Sequence, residues 1–75
     1  MMGIPIDKVA VYRARWQHGT KLRLKADIDD PFTPKKAGDI FTVDYVDDVG
    51  HLHGKWKSGG SLALIPERDS FEIVH

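Results

Sequence analysis

His51 and His53 are the residues of this 75-residue chain whose type and spacing come closest to a recognised chemistry. Residues two apart on an extended segment project from one face. Two imidazoles there can share a zinc ion if a third ligand, His18 or His75, reaches them. Beside Lys55 the same pair also reads as an ordinary wetted strand face. Clustered carboxylates come next, because hard cations take oxygen ligands. Asp27-Ile28-Asp29-Asp30-Pro31, however, lacks the later glycine and terminal glutamate of a calcium loop. Asp30 before Pro31, and Asp47 or Asp48 ahead of Gly50, are more simply turn starters. Neither set leads us to expect a metal or a cofactor.

Covalent catalysis finds little support. Ser58, Ser61 and Ser70 lie in no strand-to-helix nucleophile elbow, and no pair of glutamates is spaced for acid and base work. Gly59-Gly60 is not followed by a helix, so it does not form a phosphate-cradling loop. The chain has no cysteine, which excludes thiolate chemistry and disulfides and fits a reducing compartment. A domain of this length buries only about 60% of the surface its unfolded chain exposes, leaving little room for a deep reaction cavity. The expectation is a protein that is not an enzyme.

Charge is more informative. The 11 basic and 11 acidic side chains cancel, but they are segregated along the chain. Lys8, Arg13, Arg15, Lys21, Arg23 and Lys25 face only Asp7 in the first third, whereas Asp27, Asp29, Asp30, Asp39, Asp44, Asp47 and Asp48 face only Lys35 and Lys36 in the second. Such a dipolar surface speaks to association rather than to fold. The start of the chain shows neither a signal peptide nor a membrane span, so a cytoplasmic protein that does not enter membranes is expected.

The elements that must carry these residues follow from periodicity. Pro5 to Gln17 reads as a short helix with Ile6, Val9, Tyr12 and Trp16 on one stripe and Gly19 as its C-terminal cap. Lys21-Leu22-Arg23-Leu24-Lys25 alternates as a first strand, leucines inward. Residues 26–38 form a long loop whose Asp-Pro and Thr-Pro pairs favour turns, and Phe41, Val43 and Tyr45 alternate with Thr42 and Asp44 in a second strand. Leu52, Gly54 and Trp56 then share one face of a third strand. Ser58-Gly59-Gly60 turns it back into a fourth carrying Leu62 and Leu64, and Pro66 stops the ladder. Phe71 to Val74 closes as a fifth.

Together these predict a mainly β fold: a small five-stranded SH3-like barrel with a short N-terminal α-helix. The helical segment covers residues 1–18 and the barrel domain residues 19–75. Trp56 shares the face of Leu52 and is expected in the core, which leaves Phe32 and Tyr45 as the candidates for an aromatic groove.

Several stretches together resemble a family. They are Gly19-Thr20-Lys21-Leu22-Arg23-Leu24, Asp29-Asp30-Pro31-Phe32-Thr33-Pro34 with Gly38, Val46-Asp47-Asp48-Val49-Gly50-His51-Leu52-His53, Trp56, Ser61-Leu62-Ala63-Leu64-Ile65-Pro66 and Asp69-Ser70-Phe71. Over residues 19–73 this combination is similar to the bacterial and phage domain-of-unknown-function family DUF4314, departing from it at Gly54, Lys55 and Lys57. The resemblance implies a small barrel carried by phages or mobile elements, and it implies no reaction.

The leading expectation is a protein-interaction module of a phage or mobile element, binding a host or element protein, with interference in host defence as a specific version. Asp29, Asp30, Phe32, Asp47, Asp48 and Tyr12 are its candidate contacts. The alternative is nucleic-acid binding by a basic strand face made of Lys21, Arg23, Lys25, Lys55 and Lys57. Self-association through an exposed edge or the Tyr12 and Trp16 stripe is a third.

Overall fold

The computed structural model describes residues 7–75. Among these residues one helix, α1 (Lys8–Arg15), precedes four strands, β1 (Lys21–Leu24), β2 (Ile40–Val46), β3 (Leu52–Trp56) and β4 (Phe71–Ile73). Asp7 caps the helix, its carboxylate accepting from the amides of Val9 and Ala10. That satisfies donors the first turn leaves unpaired. The part of the expected helix that involves Pro5 and Ile6 lies outside the described residues. Gly19 does not cap it. Trp16 takes that place, and the Gly19 amide donates instead to the Val43 carbonyl, leading the chain into the sheet.

All pairings are antiparallel, in the spatial order β3-β2-β1-β4. The inner face carries Leu22, Leu24, Phe41, Val43, Val46, Leu52 and Trp56. Trp16 from the helix side, Ile28 from the long loop and Leu64 from the return segment complete the core. Val9 and Tyr12 pack on it, so the helix lays its stripe against its own sheet. Phe41 and Trp56 meet edge to face, with centroids 4.9 Å apart.

The sheet is open and four-stranded, which corrects the expected five-stranded SH3-like barrel. The difference lies in Ser61 to Ile65. Gly59 and Gly60 adopt the positive φ a reversal needs (96° and 88°), and Leu64 is buried as its alternation demands. Yet the returning chain pairs with β3 at one bridge alone, Leu52 with Leu64. Hydrogen bonds to side chains hold the rest of the segment. The Trp56 indole N–H donates to the Leu62 carbonyl at 2.8 Å, and the Ile65 amide donates to the Asp69 carboxylate at 2.9 Å. A bridge thus stands where a strand was expected, β4 pairs with β1 alone, and β3 and β4 remain unjoined edges.

A second correction concerns β2. Its register shifts between Val43 and Tyr45, so Asp44 is an extra residue and the alternation changes phase. Val46 takes the inward place that unbroken alternation after Phe41 and Val43 would give Tyr45, and Tyr45 is 54% exposed on the outer face, as a groove residue must be.

Candidate functional site

Three groups of side chains carry the expected function, and they lie apart. The first is the tip of the long loop. Ile28 and Lys35 exchange both backbone hydrogen bonds, at 2.8 and 3.0 Å, and close the loop at its base. Beyond them Asp30 Oδ1 accepts from the amides of Phe32 and Thr33 at 2.8 and 2.9 Å. These amides hold the Asp30 carboxyl below its ordinary value, that of Thr33 most strongly. Phe32, between Pro31 and Pro34, is left 90% exposed on a turn already in its final shape. Asp29 is exposed beside it. An open hollow of about 390 Å³, walled by Asp29, Asp30, Pro31, Arg68 and Asp69, adjoins the tip.

The base of this loop is pinned by an unusual group. Lys35 is only 7% exposed. Its Nζ lies 5.1 Å from the centroid of the Trp56 ring and donates to Ser58 Oγ at 2.9 Å and to the Gly59 carbonyl. Ser58 in turn donates to Asp39 Oδ2. The sequence reading missed this chain of contacts, counting Lys35 simply as a cation of the long loop. Only the neighbouring Pro34 hints that the chain beside it is constrained.

The second group is the turn between β2 and β3. Asp47 Oδ1 accepts from the amides of Val49 and His51, and Oδ2 accepts from His53 Nε2 at 2.7 Å. Three donors hold the ionised form, foremost His53 and then the His51 amide, and lower its pKa from 3.8 to about 2. A folded-state value below the unfolded one adds stability above the unfolded pKa, which is lost as pH falls toward about 2. We therefore expect a side-chain NMR titration of Asp47 with its midpoint near 2, moving up toward the ordinary carboxylate value in His53→Ala. An unmoved midpoint would show that the imidazole contributes nothing.

Asp48 and Tyr12 adjoin this turn but are engaged. Arg13 donates to Asp48 at 2.9 Å and to the Val46 carbonyl at 3.1 Å, tying helix to turn. The Tyr12 hydroxyl donates to Glu67 at 2.5 Å, and its ring packs on Trp16 with centroids 5.1 Å apart. Tyr12 therefore holds the helix in place. Because the long loop enters β2 and this turn leaves it, Asp29, Asp30 and Phe32 sit at the opposite end of the strand from Asp47, Asp48 and Tyr12. The six residues form two surfaces.

The third group is the outer sheet face. Lys21 pairs with Thr42 and Thr42 with Lys55; Arg23 pairs with Ile40, whose carbonyl accepts from the Lys57 amide. The basic residues of β1 and β3 are thus two strands apart, with β2 between them. Lys25 follows the end of β1.

The model of a family described as a domain of unknown function, DUF4314, matches residues 6–74. The chain belongs to the DUF4314 family. The likeness first seen over residues 19–73 thus extends through α1, consistent with Trp16 being part of the core. No curated protein and no solved structure matches the chain. In this DUF4314 domain His53 is engaged by Asp47, and His18 Nδ1 lies 3.1 Å from Asp44 Oδ1. Among the described residues no three histidines or carboxylates are grouped to hold a metal ion, and no helix is long and apolar enough to cross a membrane.

Proposed function

We propose that this DUF4314 domain is a non-enzymatic protein-interaction module, acting in the cytoplasm for a phage or mobile element and binding a host or element protein. The observation that carries the reading is Phe32. A large apolar side chain left in water contributes nothing to folding, and here the Asp30 turn and the Ile28–Lys35 closure fix its backbone in advance. Preorganised aromatic anchors of this kind dominate interface energetics, because little ordering entropy remains to be lost on binding. Asp29 and Asp30 precede Phe32 at the same loop tip, so the matching partner surface is an apolar pocket with a basic rim.

Capture with immobilised wild-type chain and with Phe32→Ala tests this. The wild type should retain a partner that Phe32→Ala loses and that Asp29→Lys weakens in a salt-dependent way. Thermal stability should stay within about 0.5 kcal/mol, since Phe32 packs on nothing. Equal retention by both chains would remove the anchor and, with it, the proposal.

A further inference from the structure

We infer that the outer face of the open sheet is a binding site for single-stranded nucleic acid, with phosphates on Lys21, Lys55 and Lys57 and a base stacked on Tyr45. This site is separate from the Phe32 tip and is built from groups the protein-binding reading leaves unused.

The cations come first. Successive outward side chains on a strand stand about 7 Å apart. The face therefore presents one row containing Lys21 and Lys55 and a next row containing Arg23 and Lys57. This spacing is comparable with that of phosphates along an extended strand. Arg23 lies 3.1 Å from Glu72 and is largely offset. Lys21, Lys25, Lys55 and Lys57 have no carboxylate within ion-pair distance among the described residues. The acids that share the face are engaged locally, Asp44 by His18 and Asp47 by His53. The chain is neutral as a whole because its other aspartates lie elsewhere, notably around the loop tip. An unpaired lysine strip is a poor protein-binding surface, since lysine is depleted at such interfaces, whereas it suits a phosphate backbone.

The platform is the second and independent observation. Basic strands with no aromatic residue on their wet side offer nothing for a base to stack on. The bulge at Asp44 supplies that residue by turning Tyr45 outward. His53 lies parallel to the Tyr45 ring, with centroids 4.8 Å apart and planes 11° apart, and Asp47 fixes His53. The tyrosine is thus backed on one side and held before any ligand arrives. It walls an open hollow of about 280 Å³ between helix and β2, together with Arg13, Trp16, Gln17, His18 and Val46. His18 also borders a neighbouring hollow of about 290 Å³ that reaches Thr42 and Lys55, with Asp44, which His18 engages, on its wall. The two hollows meet at His18, which joins the stacking surface of Tyr45 to the cation at Lys55. A base paired in a duplex has no free face for Tyr45, so the site selects single strands.

The test is fluorescence anisotropy with labelled oligo(dT) and oligo(U) of about 12 nucleotides at low salt, using the whole chain. Three phosphate contacts predict a slope of about −2 in log affinity against log salt. Tyr45→Ala should weaken binding by about tenfold and Tyr45→Phe should restore it, as stacking requires. Lys55→Glu combined with Lys57→Glu should reduce binding to background, and Phe32→Ala should leave it unchanged. Circular dichroism confirms that each variant is folded. Absence of binding at low salt, equal affinity for a duplex of the same length, or indifference to Tyr45→Ala would each overturn the assignment. So would loss of binding in Phe32→Ala, which would place the nucleic acid at the tip.

Discussion

Gly54→Ala should be among the most destabilising single substitutions in this protein. A methyl group on Gly54 would overlap the Thr42 backbone carbonyl oxygen across the β2–β3 ladder and stand 3.0 Å from Cζ of Phe41. The first obstacle is backbone and has no rotamer with which to yield. Relief requires β3 to move away from β2 at the centre of their pairing, where Val43 opposes Gly54. The second obstacle is the most deeply buried aromatic ring of the core, packed edge-on against Trp56. Overpacking of this kind costs about 3 kcal/mol or more when neither side can relax. A domain of this length has on the order of 4–11 kcal/mol of stability in total. Urea denaturation should show the midpoint falling by a third or more, with near-ultraviolet dichroism from Trp56 already weakened without denaturant. A wild-type midpoint would mean that β2 and β3 are farther apart than their register implies.

Gly54 also marks how far alternation can be read. Leu22, Leu24, Phe41, Val43, Leu52, Trp56 and Leu64 all take the inward places their spacing requires, because period two assigns a face to each residue without reference to its partners. What period two cannot assign is which strand pairs with which. The Trp56 indole, which donates to the Leu62 carbonyl, takes up a group the ladder needs, and an expected strand becomes a single bridge. The phase change at Asp44 was equally hidden, although Tyr45 and Val46 are adjacent apolar residues and only one of them can face inward. At the candidate sites, the turn roles of Asp30 and Asp47 were legible from local chemistry. The third contact of Asp47, to His53, was not, since it depends on the bulge that sets β2 against β3.

Lys35 is where sequence and structure part most sharply, and its replacement is the second large effect expected. Lys35→Ala removes the donor to Ser58 and Gly59, the ammonium over Trp56 and the alkyl stem that fills the space between loop and sheet. Hydrogen bonds from a charged group contribute about 1.5–3 kcal/mol each when buried, and a partly desolvated cation over an aromatic face about 1 kcal/mol. Ser58 and Gly59 lie at the surface, where water replaces part of what they lose, so a net cost of about 2 kcal/mol is expected. In a domain of this size that lowers Tm by about 8–16 °C. Lys35→Met keeps most of the stem and discards the charge, so its midpoint should fall between the two. If instead it matched the wild type, the stem alone would hold the loop and the ammonium would be incidental. The consequence reaches function through geometry. With its base unpinned, the Ile28–Lys35 backbone closure below Phe32 opens more readily, and amide exchange at those two residues should quicken before the sheet opens. Partner capture by Lys35→Ala should then weaken even at temperatures where the chain remains folded, because the anchor would have to be ordered at the moment of binding.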